Sequence, residues 1–273
     1  MTDLSKYTTK EELFNFLHSN KDVLMSEKKF DLKRSDAVNN DVLYYADNNN
    51  VYKEVSKPMD LLSKTTLKVQ SVINTTNILD SHGDVHINGL WNKSLKEQKN
   101  LYLLREHKMS FDNIISDNVA ASTKIIKWSD IGFDYKGETE ALIFISEIDR
   151  ERNEFMFKQY AKGWVRNHSV GMRYVRLFLA INSEDQEYKE EKEVWDKYYP
   201  IIVNKETAMD QGYFWAVTEA KVVEGSAVPI GANQATPTQS VKFIEPSSDT
   251  QDIISEPDKP LVKSLFERIG SKI

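Results

Sequence analysis

Leu67-Lys68-Val69-Gln70-Ser71-Val72-Ile73-Asn74-Thr75-Thr76-Asn77-Ile78-Leu79-Asp80-Ser81-His82-Gly83-Asp84-Val85-His86 is where the chain first commits to a fold. Leu67, Val69, Ser71 and Ile73 alternate with Lys68, Gln70 and Val72, a mostly period-2 pattern that predicts a strand, since successive strand side chains leave on opposite faces. The Asp80–His86 stretch around Gly83 then reads as a polar turn. Downstream, Leu101–Leu104 and Ala141–Ile145 read as buried strands. Residues 164–181 turn to strand character, with Val170, Met172 and Tyr174 on one face and Val175 and Leu177 on the other. Tyr213–Val217 and Ala220–Val228 supply two more strands. Helices fall between: one capped by Asp149, buried through Phe155, Met156 and Tyr160 and stopping near Gly163; another from Ser183 to Tyr199, with Ser183 and Gln186 as a capping pair and Tyr188, Trp195 and Tyr198 as its seam. Strands interleaved with helices predict an α+β fold, a curled sheet or barrel with helices outside.

The flanks differ in composition. Thr9 and Glu12 form a capping-box pattern ahead of Leu13, Phe16 and Leu17 at helical spacing. Residues 35–57, with Asn48-Asn49-Asn50, read as loop, so residues 1–60 are taken as an N-terminal extension carrying one helix and residues 61–236 as the folded domain. Pro237, Pro246, Pro257 and Pro260 mark residues 237–260 as a flexible Pro-rich linker. Residues 261–273 follow as an amphipathic C-terminal segment, with Val262, Leu265, Phe266 and Ile269 on one helical face. That face suits either packing back on its own domain or docking on a partner protein.

The chain has 273 residues, of which 40% are hydrophobic, so it can bury a sizeable core. It has no cysteine, which excludes thiol catalysis, zinc–thiolate sites and disulfide stapling. A net charge of −6 gives no electrostatic reason to expect nucleic-acid binding. No apolar run is long enough to span a bilayer, and the N-terminus lacks the order of a secretory signal, so an intracellular protein is expected.

Among groups able to do chemistry there are five histidines, many carboxylates and the hydroxyls. His18 reads as a surface or boundary residue. His82, Asp84 and His86 invite a metal-site reading, but their spacing matches no helix-borne metal motif and the polar turn is preferred. His107, after an apolar strand, reads by itself as a satisfied core residue. Ser169 enters a strand, and Glu224 sits in a strand-like apolar stretch where burial would demand a partner.

The order of these contexts carries more. Ser71–Trp91, with its Asp80-Ser81-His82-Gly83-Asp84-Val85 turn, resembles the opening of the tailed-phage prohead protease family, related to herpesvirus assemblin. Leu103-Leu104-Arg105-Glu106-His107 resembles the family's strand ending in histidine, and His168-Ser169-Val170-Gly171-Met172 its Ser-[Ile/Val]-Gly segment. Glu224-Gly225-Ser226-Ala227-Val228, with Ala232-Asn233, resembles its Glu-x-Ser-x-Val…Ala-Asn block. The four blocks stand in family order over about residues 65–236. Departures are Lys108, where an Asp is common, and Asn88, where a Pro is usual.

The resemblance implies a herpesvirus-protease-like β-barrel flanked by helices. It implies a serine endopeptidase with Ser169 as nucleophile, His107 as base and Glu224 as orienting carboxylate. Glu219 competes for the third role and His168 for the second. Glu224 is preferred because the Ser-x-Val block registers with it, and His168 should face away from Ser169 in an extended strand. An oxyanion hole is sought near Gly171, Arg173 or Arg176. The implied substrates are scaffold protein, the major capsid protein and the chain itself, cut inside the procapsid in the host cytoplasm with no metal or organic cofactor. Related barrels pair, so a homo-oligomer fits the resemblance. The alternatives are a catalytically silent relative acting as internal scaffold or assembly factor, and then a metal hydrolase using His82, Asp84, His86 and His107.

Overall fold

The computed structural model describes residue 4 and residues 6–32, 65–97 and 100–244. Two helices lead, α1 (Lys10–Ser19) and α2 (Lys21–Phe30), where the sequence predicts one. Thr9 caps α1 by accepting from the Glu12 amide, and the Glu12 carboxylate answers by accepting from the Thr8 amide and hydroxyl. The remaining elements are β1 (Thr66–Thr75), β2 (Asp84–His86), α3 (Asn92–Glu97), β3 (Leu103–Arg105), β4 (Ile114–Ser116), β5 (Asn118–Lys127), β6 (Glu138–Asp149), α4 (Glu154–Ala161), β7 (Asn167–Ile181), α5 (Lys189–Tyr198), α6 (Lys205–Gln211), β8 (Tyr213–Val228) and β9 (Thr238–Phe243). The fold is mixed α+β.

One sheet has the order β5–β6–β1–β9. The other is built around β8, a single 16-residue strand where the sequence suggests two. β7 runs antiparallel along the whole of β8, so β2 and β3 share its other edge, pairing in parallel with Trp215–Val217 and Gly225–Ala227. A bulge in β7 between Tyr174 and Arg176, where Val175 is the extra residue, switches the parity of its buried side chains. Val170, Met172 and Tyr174 therefore share the core with Leu177, Leu179 and Ile181, while Val175 is exposed, a correction to the face expected for Leu177.

The ladders do not close into the barrel expected from the resemblance among the described residues. The sheets meet at one isolated bridge, Asn167–Pro237, and where the chain passes from β4 into β5. On either side of the bridge the chain turns, out of α4 at Gly163, which has a positive φ, and at Asn233, whose side chain accepts from the Ala235 amide. Both sheets still bury side chains in one core, with Leu67, Ile73 and Phe144 from one and Leu103, Met172 and Trp215 from the other. Gly225 permits the close approach: a Cβ there would lie 2.6 Å from the Phe144 ring.

Other details depart from the sequence reading. Asn153, not Asp149, caps α4, its side chain accepting from the Met156 amide. The helix buries Met156, Phe157 and Tyr160 and leaves Phe155, expected on its buried side, exposed. The charged helix starts at Lys189, and Ser183 instead bonds to Asp185. Residues 238–243, placed in the linker by composition, form β9 against β1. The N-terminal helices join the packed body, since Phe14 and Leu17 enter the main core and Glu191 of α5 receives Lys21 at 2.7 Å and His18 at 3.3 Å. The Asn-rich loop of residues 35–57, the rest of the Pro-rich linker and the 261–273 segment lie outside the described residues. No helix among the described residues is long and apolar enough to cross a membrane.

Candidate active site

Three neighbouring strands carry Ser169, His107 and Glu224 to one point. β8 is central: Gly171 of β7 lies opposite Glu224, Ser169 opposite Ser226, and Leu104 of β3 beside Ser226. β3 ends at Arg105, and the chain then takes two left-handed residues, Glu106 (φ 53°) and His107 (φ 57°). Non-glycine residues hold that conformation only when their surroundings enforce it. Here the Glu106 amide donates to Ala227 O and the His107 amide to Ser226 Oγ, each at 3.0 Å. The turn swings the imidazole back over β8.

His107 Nδ1 lies 2.6 Å from Glu224 Oε1, and Nε2 lies 2.9 Å from Ser169 Oγ. The carboxylate only accepts, so Nδ1 carries the hydrogen and the bare Nε2 accepts from the Ser169 hydroxyl. That is the tautomer a general base needs. Ser226 Oγ donates to the second oxygen, Glu224 Oε2, at 2.6 Å. Gly171 leaves room for the carboxylate, since a Cβ there would sit 1.9 Å from Glu224 Oε1. Ser169, His107 and Glu224 are 2, 3 and 2% exposed, which puts the pair His107–Glu224 in surroundings of low dielectric.

The competing residues are engaged elsewhere. His168 does face away from Ser169: its Nδ1–H is directed at Thr236 O and its Nε2 accepts from Tyr160 O–H at 2.9 Å. Burial pushes that imidazole down to about 4, so it stays neutral. Glu219 pairs with Lys93 and Arg176 at a partly exposed position, which also commits Arg176 away from any oxyanion. His107 belongs to the Ser169 site rather than joining His82, Asp84 and His86. His86 has both ring nitrogens occupied, by Asn74 and by Tyr174 Oη. Among the described residues no group of three or more His, Asp or Glu is arranged to hold a metal ion.

The Asp80–His86 stretch, read from sequence as a turn but passing into β2 at Asp84, serves a second buried network. Asp84 accepts from Lys28 Nζ of α2 at 2.5 Å and from Tyr174 Oη at 2.8 Å. Burial alone would raise the Asp84 carboxyl, but the Lys28 charge and these hydrogen bonds outweigh it and hold it below its usual value. Asp80 is pushed up, first by burial and then by the Asp84 charge, while burial pushes His86 down.

Sequence reasoning missed Ser226 as a working part, and it looked to Gly171 for an oxyanion hole rather than for the room it leaves Glu224. Both signals were present: a glycine inside a strand marks a close approach, and Ser226, two residues beyond Glu224, shares its strand face. No family model, curated protein or solved structure matches this chain.

Proposed function

We propose that this chain is a phage prohead protease, a serine endopeptidase that cuts scaffold protein, major capsid protein and itself during capsid maturation. The observation that carries the reading is convergence. Three residues singled out by family blocks, 117 positions apart at the extremes of the His107–Glu224 pair, lie in one hydrogen-bonded chain. On this reading the herpesvirus-protease-like fold is present as two sheets joined at seams.

Ser169 Oγ attacks the scissile carbonyl carbon as its proton passes to His107 Nε2. Glu224, already accepting from Nδ1–H, stabilises the imidazolium that results. The tetrahedral adduct expels the amine, which takes the proton from Nε2, and leaves an acyl ester on Ser169. Water then attacks the ester with the same imidazole as base, returning the serine hydroxyl. All of this uses protein groups alone, with cleavage proposed inside the procapsid in the host cytoplasm.

One observation favours the second reading, a silent assembly factor: Ser169 is only 2% exposed, so little of the residue is open to a substrate. Co-expression with the cognate capsid and scaffold proteins, wild type beside Ser169→Ala, separates the two by intact mass. Truncated chains with wild type and none with the variant are expected. Full-length chains in both, with assembly still dependent on the protein, would select the assembly factor.

A further inference from the structure

We propose that Ser226 is a positioning residue of the Ser169 site, the group that ties the backbone of the base to the carboxylate that orients it. The proposal rests on the serine-hydrolase reading for its catalytic consequence, though the linkage itself does not need that reading. Ser226 is fully buried. Its hydroxyl donates to Glu224 Oε2 at 2.6 Å and accepts from the His107 amide at 3.0 Å. Glu224 Oε1 in turn receives the Nδ1–H of the same His107 at 2.6 Å. The three residues therefore close a ring: amide to hydroxyl, hydroxyl to carboxylate, imidazole to carboxylate.

The ring does two things at once. It gives the second carboxylate oxygen a donor, so the buried charge is not left half-satisfied. It also anchors His107 at its amide, in a left-handed conformation (φ 57°) that would otherwise relax and carry the imidazole away from Ser169. Because one hydroxyl serves both, a shift of Glu224 and a shift of the His107 backbone are coupled. Substituting Ser226→Ala removes both bonds with little change of volume. Ser226→Thr keeps the hydroxyl.

The test uses the full chain and a fluorophosphonate, which forms a phosphorus–Oγ bond at an activated serine with loss of fluoride while the base takes the hydroxyl proton. Intact mass follows labelling at Ser169 as probe concentration is varied. In parallel, proton NMR follows the far-downfield resonance of an imidazole N–H held by a carboxylate. Ser226→Ala is expected to lower the limiting labelling rate about 10- to 100-fold without weakening probe binding, and to move or broaden the downfield resonance. Ser226→Thr is expected to restore both. An Ala variant that labels at the wild-type rate with its resonance unmoved overturns the proposal. So does one that loses only thermal stability while resonance and limiting rate hold. If the wild type does not label at Ser169, the hydrolase reading fails by itself. The resonance then decides the linkage alone: displaced in Ser226→Ala it stands, unmoved it falls.

Discussion

The chain Ser169–His107–Glu224 and the chain Asn74–His86–Tyr174–Asp84–Lys28 use similar parts. Each is buried, each has a histidine and a carboxylate, and each collects its members from separate elements. They differ in which way the hydrogens point. In the first, the carboxylate touches the imidazole directly, so Nε2 is bare and faces a hydroxyl with a proton to give. In the second, a tyrosine stands between. Tyr174 donates to Asp84, so it can only accept from His86 Nε2–H, and Nδ1 is closed by the Asn74 amide. Burial, and then the Asp84 charge, hold the Tyr174 hydroxyl well above its usual range, so it is not an acid. Asp84 is further closed by Lys28, which also lies 5.6 Å from the Trp215 ring. The first network has an unfilled valence for chemistry. The second has none, and its consequence is to hold α2 against the β8 sheet.

The sharpest way to break this contrast is to remove each histidine in turn. On the protease reading, His107→Ala should lower cleavage of co-expressed capsid protein by about a thousandfold or more, whereas His86→Ala should leave the rate per folded molecule unchanged. Equal losses in a co-expression cleavage assay, corrected for folded protein, would erase the distinction. The second network should reveal itself in stability instead. Lys28→Ala strands the buried Asp84 charge and should cost about 3 kcal/mol in denaturant unfolding, with labelling of Ser169 unaffected. A midpoint shift of a few tenths would mean that α2 is not held this way.

Acid should also weaken the fold. His168 stays neutral in the fold down to about 4, but in the unfolded chain it protonates near its ordinary 6.5. The unfolded state therefore binds more protons in that window. The stability involved is complete above pH 6.5 and falls as pH drops toward 4, by about 3 kcal/mol. His86, also pushed down by burial, acts with the same sign. Unfolding free energies of wild type and His168→Gln, measured from pH 7 to 4, should converge as pH falls; parallel curves would refute the neutral buried imidazole. Gly171→Ala should, on the protease reading, lower cleavage by about a hundredfold and also cost about 1–3 kcal/mol of stability, because the added carbon would sit 1.9 Å from Glu224 Oε1 and force the buried carboxylate off His107. A variant as active as wild type would show that the carboxylate is not needed where it sits. The smallest effect expected is from Tyr174→Phe, about 1–2 kcal/mol from the lost donor to Asp84, read by thermal unfolding with cleavage intact.

Much of the site was legible, and for a particular reason. Ser169, His107 and Glu224 stand in blocks whose order resembles a known family, and that resemblance singled them out; period-2 reasoning then correctly turned His168 away from Ser169. Where reading failed, the missing information was relational. Leu177 changed faces because β7 bulges against β8, and a bulge depends on the partner strand. Thr238–Phe243 looked like linker because prolines dominate its neighbourhood, yet β1 offered it an edge. Phe155 was placed on the buried side of its helix, but the core takes Met156, Phe157 and Tyr160 and leaves Phe155 to solvent, because which face is buried is set by what the helix packs against.

The amino-acid sequence by itself determined the mixed α+β class and the alternation of β1, because these depend on local periodicity, while the candidate triad came from the order of blocks that resemble a known family. Only the tertiary structure decided that Ser226 serves both His107 and Glu224, that Gly171 must have no side chain, and that Lys28 neutralises Asp84 across 56 positions. Those are contacts between strands and helices far apart in the chain. A hydrogen bond or a clash is set by distance and direction in space, which no one-dimensional spacing encodes.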